Sequence, residues 1–180
     1  MAIPLGDWPD QQRLLPHQAN AEEGLWLRHP TAEVSTQAIV YPEVRVWAHS
    51  HVRERATLGR AVSIGERCYI AEDVTIGEKS RVGNGVNVWK GVTIGERVFI
   101  GPSVVFCNDK HPRVREDWAG PELTVIEDDV SIGAGAIIIC GVRIGRGARI
   151  AAGARITADV MEGELWRNEP ARMVERSAAR

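Results

Sequence analysis

Aliphatic residues recur at every sixth position along most of this chain. Val34, Val40, Val46, Val52, Leu58, Ile64, Ile70, Ile76, Val82, Val88, Ile94 and Ile100 run without a slip to Phe106, and the spacing resumes at Ile126, Ile132, Ile138, Ile144, Ile150 and Ile156. Two residues before many of them stands a second small or branched side chain, as at Val62, Cys68, Val74, Val86, Val92, Val98, Val130, Ala136, Val142, Ala148 and Ala154. A period of six cannot make an amphipathic helix, whereas two inward positions two residues apart belong to a short strand. Each unit therefore reads as one short strand and one turn. Glycine follows the aliphatic residue at Gly59, Gly65, Gly77, Gly83, Gly95, Gly101, Gly133 and Gly145, which is expected where a corner needs positive φ. Units of this kind bury no face alone, so they must stack coil on coil about 4.8 Å apart. The prediction is an all-β parallel β-helix with the aliphatic residues inside.

The repeated segments Val74–Glu78 and Val92–Glu96, both VTIGE, resemble the hexapeptide-repeat acyltransferases, and the resemblance runs from about Arg28 to Arg176. It implies a left-handed triangular prism with three six-residue sides per coil, assembled as a homotrimer with active sites between subunits. Residues 1–28 lack the hexad and read as an N-terminal arm or cap, with a short helix expected around Asn20 to Leu27 and Trp8 and Trp26 packing on the first coil or a neighbour. Residues 29–158 read as the β-helix, with an inserted loop at 107–123, and residues 159–180 as a closing segment and tail. That segment resembles the family's Asp-Val turn followed by Gly-x-Pro-Ala-Arg. Here Asn168 replaces the glycine and Ala158 stands where a lysine usually precedes Asp159.

The period breaks once, between Phe106 and Ile126, and the break amounts to fourteen extra residues. A polar loop interrupting a rigid scaffold is where function concentrates, and this one carries Asn108, Asp109, Lys110, His111, Arg113, Arg115 and Trp118. With eighteen residues per coil, Trp89 and Lys90 lie under Cys107 and Asn108, Ala71 and Glu72 one coil further down, and Ile139 and Cys140 above. The segment Val98–Arg113 (VFIGPSVVFCNDKHPR) resembles the N-acetyltransferases of nucleotide-linked amino sugars, and its His111-Pro112 pair also resembles the galactoside and maltose acetyltransferases. In the latter the histidine is the general base. Imidazole suits that task because it accepts a proton near neutral pH.

The resemblance thus implies His111 as base, with Asn108 beside it as an oxyanion donor or sugar ligand. Asp109, Lys90, Trp89, Asn87 and Arg113 line the substrate side, where cationic side chains would meet a nucleotide diphosphate. Small residues on later coils, Gly133, Ala134, Ala151 and Ala152, would admit the pantetheine arm of acetyl-CoA, and Arg172 would meet its adenosine phosphates. Acetyl-CoA is expected as co-substrate, with no metal.

Composition narrows the partners. A formal net charge of -2 with interspersed signs offers no basic face to nucleic acid. No apolar run approaches the roughly 20 residues that cross a bilayer, and the first residues have no secretion signal, so a cytoplasmic protein without a membrane partner is expected. Cys68, Cys107 and Cys140 have neither disulfide nor zinc spacing. A γ-type carbonic anhydrase would need three converging histidines, and the five present, at 17, 29, 49, 51 and 111, suggest no such set. A bare structural β-helix would lack an elaborated loop. The expected activity is acetyl transfer to the amino group of a nucleotide-linked amino sugar in cell-surface polysaccharide synthesis, with O-acetylation of simple sugars or xenobiotics as the runner-up.

Overall fold

The computed structural model describes residues 13–14, 25–114 and 120–168. Among them there is no helix, and strands of two or three residues stack into three sheets around one axis, a parallel β-solenoid of about eight turns. The first face runs from Trp26–Arg28 through Ser63–Ile64 and Phe99–Ile100 to Leu165–Trp166. The second carries Thr75–Ile76, Val92–Ile94 and Thr124–Ile126, and the third Tyr69–Ile70, Asn87–Val88, Val105–Phe106 and Ile137–Ile138. Thr75 pairs with Thr93, eighteen residues on, and Thr93 with Val125, thirty-two on. Fourteen extra residues are thus looped out while the ladder continues unbroken.

The inward hexad is buried as read. Eighteen of the nineteen periodic positions are buried, and Val34 at the first coil is partly so. The partner positions two residues earlier are buried too, Ala38 only partly, and three of them are polar: Thr124 where the loop returns, and Ser50 and Ser80 within the regular coils. Each serine hydroxyl is satisfied within the stack: Ser50 donates to the Gly65 carbonyl at 2.6 Å and accepts from the Cys68 N–H, and Ser80 donates to Gly95 at 2.7 Å and accepts from the Val98 N–H. A buried hydroxyl without such partners would be costly.

Two expectations are corrected. The glycines that follow the aliphatic residues do not have positive φ. They are required because successive coils touch there: a Cβ on Gly77 would lie 2.4 Å from the Gly95 carbonyl carbon. Positive φ falls three residues after most aliphatic positions, at Glu43, His49, Arg55, Ala61, Arg67, Asp73, Lys79, Arg97, Ser103 and Asp129, and at Gly85, Gly91, Gly135, Gly141, Gly147 and Gly153. The helix expected around Asn20 to Leu27 is replaced at its end by the strand Trp26–Arg28, which pairs in parallel with Arg45–Val46 and antiparallel with Arg13–Leu14. Open backbone at the edge of a sheet recruits a strand more strongly than local propensity makes a helix. Trp26 is buried in the core; residues 20–24 and Trp8 lie outside the described residues.

Candidate functional site

The loop leaves the solenoid after Val105–Phe106 on the third face and rejoins it at Thr124–Ile126 on the second, so its root sits at the corner between them. Beside that corner, Asn87 is exposed on the third face between Tyr69 and Val105. Trp89 is half-buried, and its ring lies 5.5 Å from that of Tyr69 at 45°. Asn108 and Asp109 are half-buried at the root, while Lys110, His111 and Arg113 are exposed further out. One Asp109 oxygen accepts the backbone N–H of His111 at 2.7 Å, an Asx turn that fixes the chain where it bends. Arg115 and Trp118 lie outside the described residues.

Lys90 is already engaged. Its Nζ lies 3.0 Å from Asp73 Oδ2 and 3.8 Å from Glu72, while Arg55 donates to Asp73 Oδ1 at 2.6 Å. These groups form a ladder of alternating charge up the corner. The Arg55 guanidinium, and after it the Lys90 ammonium, holds the Asp73 carboxyl at about 2. A carboxyl held below its unfolded value adds stability above that value, and the contribution fades as pH falls through the folded one. Asp73→Asn is therefore expected to lower the melting temperature at neutral pH, with the gap to wild type closing between about pH 4 and about pH 2. A gap that does not change with pH would remove the electrostatic account of the ladder.

The small residues expected at the coenzyme lie elsewhere on the prism. Gly133, Ala134, Ala151 and Ala152 occupy the corner between the first and third faces, with Ala134 and Ala152 exposed. A Cβ on Gly133 would meet the Ala152 nitrogen at 2.4 Å, so stacking alone demands that glycine. Exposed Arg149 and Arg155 flank the same corner on its two faces. Arg172 lies outside the described residues, and Asn168 donates to the Gly153 carbonyl at 2.7 Å. The chain thus gathers Trp89, Lys90, Asn108, Asp109 and His111 at one edge of the third face and the small-residue corner at the other. Exposed Val105 lies between them.

Two features went unread in the sequence. Lys110 Nζ meets Glu122 Oε2 at 2.6 Å, tying one limb of the loop to the other. A recess of about 350 Å³ opens on the first face, walled by Trp47 and Phe99 with Glu66, Arg81 and Asn84 at its sides. Among the described residues no three His, Cys, Asp or Glu side chains gather as a metal site, and no helix is long and apolar enough to cross a membrane. The three cysteines are free thiols, and burial pushes those of Cys68 and Cys140 up.

Comparison with known proteins agrees with the fold. A 2,3,4,5-tetrahydropyridine-2,6-dicarboxylate N-acetyltransferase of Staphylococcus aureus (strain JH9) is 37% identical over 54 residues, which are 30% of this chain and 23% of that enzyme. The chain thus spans less than a quarter of the curated relative it matches. A hexapeptide-repeat acetyltransferase of Vibrio cholerae O1 biovar eltor, solved with acetyl coenzyme A, is 29% identical with a TM-score of 0.50, over 65% of this chain and 68% of that one. A maltose O-acetyltransferase of Clostridium difficile 630 shares the fold at 22% identity and a TM-score of 0.53, over 67% and 69% of the two chains. The bacterial transferase hexapeptide (six repeats) pattern matches residues 73–108 and 123–158, skipping the loop, and the hexapeptide repeat of succinyl-transferase matches residues 55–90. Together the two patterns take in half of the residues, all within the strand-bearing coils, and the chain belongs to the bacterial hexapeptide-repeat transferase family.

Proposed function

We propose that this protein is an acetyl-CoA-dependent N-acetyltransferase acting on the amino group of a nucleotide-linked amino sugar for cell-surface polysaccharides, with its active sites between the subunits of a homotrimer. The observation that carries the reading is the separation of the two half-sites. The polar loop root and the small-residue corner lie on opposite edges of the third face of one chain, so one prism cannot close both on one substrate, and a second copy can. The number three comes from the family resemblance. The Vibrio cholerae relative solved with acetyl coenzyme A supports the donor, and the Staphylococcus aureus relative an amine or imine nitrogen as acceptor.

The chemistry follows from the residue types. The acceptor nitrogen attacks the thioester carbonyl, a C–N bond forms and the C–S bond breaks. His111 takes the proton lost by the nitrogen and returns it to the departing thiolate. The Asn108 amide donates to the developing oxyanion. Trp89 offers a ring face to the sugar, Asn87 and Asp109 hydrogen-bond its hydroxyls, and Arg113 meets the diphosphate. Lys90, held by two carboxylates, contributes less free charge than a lysine in isolation. On the donor side, Ala134, Ala151 and Ala152 leave room along the corner beside Gly133, and Arg172 meets the adenosine phosphates.

The test is acetyl transfer from labelled acetyl-CoA to a panel of UDP- and dTDP-linked amino sugars and their hydroxyl counterparts, with the oligomer measured by light scattering. Turnover of an amino-sugar nucleotide by a trimer is expected. Transfer to hydroxyl sugars alone would favour O-acetylation, and a monodisperse monomer that turns over would remove the shared site.

A further inference from the structure

The inserted loop has two limbs of different character. The returning limb is fastened to the coils on both sides. Pro121 lies against Gly91, where a Cβ would sit 2.9 Å from the proline Cγ. The Thr124 N–H donates to the Gly91 carbonyl at 2.9 Å, and the buried Thr124 hydroxyl accepts the Gly141 N–H at 3.2 Å. The outgoing limb, Lys110 to Val114, is exposed along its length. It meets the fastened limb through Lys110, whose Nζ is 2.6 Å from Glu122 Oε2 across twelve residues of chain. Both charged tips rest over Gly141: a Cβ there would lie 2.3 Å from Glu122 Oε2 and 2.9 Å from Lys110 Nζ. Gly141 also has φ of 76°, a backbone that suits glycine. The missing side chain is therefore the seat of the ion pair.

We infer that Lys110 and Glu122, seated on Gly141, form a clasp that closes the loop at its root and positions His111, the next residue along. The clasp deepens the function proposed above and rests on His111 as proton acceptor. It makes Lys110 and Glu122 positioning residues. An exposed ion pair contributes little to global stability, so its removal should leave the solenoid intact and loosen the outgoing limb, Lys110 to Val114. A reacting group displaced by a fraction of an ångström loses rate without losing its fold. That separates the clasp from a merely structural role.

The full chain is compared as wild type, Glu122→Gln, Lys110→Met and the charge-swapped double variant Lys110→Glu/Glu122→Lys. Three quantities are read: melting temperature, the rate of trypsin cleavage after Arg113, and kcat and KM. Each single variant is expected to melt with the wild type and to be cut faster after Arg113. Its kcat should fall by roughly two- to tenfold, the span between a partly exposed ion pair and a small displacement of a reacting group. KM for acetyl-CoA should hold, and the swapped pair should recover both protection and kcat. Single variants as protected and as active as wild type, or a swapped variant as impaired as both singles combined, would overturn the clasp. Cleavage needs no turnover, so a wild type without acetyltransferase activity whose Glu122→Gln variant is cut faster sinks the proposed function and leaves the clasp standing.

Discussion

Aspartate in place of Ile94 or Ile132 is expected to leave no folded protein. Both side chains are essentially inaccessible, at 1% and 0% exposure, inside a prism closed on three sides by strands. An unpaired charge there cannot reach water, and the cost, above about 4 kcal/mol, is comparable to the whole stability of an ordinary domain. The damage should not stay local, because each coil is the hydrogen-bonding template for the next, as Ile94 is for Ile126. Glu96, two residues on and exposed beside Arg97, is the control: Glu96→Ser should melt close to wild type. Circular dichroism and solubility read the outcome. Equal melting points for the two classes of variant would refute the inward phase of the hexad.

His111→Ala should behave in the opposite way, folding normally and failing in turnover. The side chain is exposed on a loop outside the stacked strands, so its removal opens no cavity. If it accepts the acceptor's proton, the acyl-transfer step should lose about 10² to 10⁴-fold, the usual contribution of a general base. The pH profile separates this from a binding defect. The wild-type rate should carry a pH-dependent limb from deprotonation of the base, and the variant should lack that limb. One acceptor must serve both proteins, since an amine titrating in the same range would imitate the signal. A variant with nearly full kcat would assign proton removal to the substrate amine itself and leave the transferase reading in place.

How much of this could be read beforehand follows from what a repeat encodes. Strand spacing, the inward side chains and the size of the insertion are periodic quantities, and Thr93 pairing with Val125 matches the arithmetic of eighteen plus fourteen. The reason for the glycines was misread because composition marks a corner without saying which residue of the corner is crowded. Gly77 answers to the backbone of the next coil, whereas the left-handed bend falls two residues later on Lys79. The same phase arithmetic could have placed Ala152 and Asn108 on different corners, which the linear order of the candidates conceals. The Lys110–Glu122 contact had no such signal, since a loop has no period and a twelve-residue chord leaves no mark on composition.

The corners described above also make the molecule uneven along its axis. From Glu43 to Lys79, seven successive bends are turned by residues with side chains in the left-handed region, while from Gly135 to Gly153 four are turned by glycine. An L-residue in that region gives up about 1 kcal/mol or more, and the chain freedom that glycine loses on folding offsets only part of the difference. Coils that touch only their neighbours open one after another from an end. The end with the tensed bends is the natural place for that to begin, with the relaxed rear as its limit. The small-residue corner lies in the relaxed rear and the loop root just ahead of it, between the bends at Ser103 and Asp129, so opening that starts at the front is expected to reach those coils last.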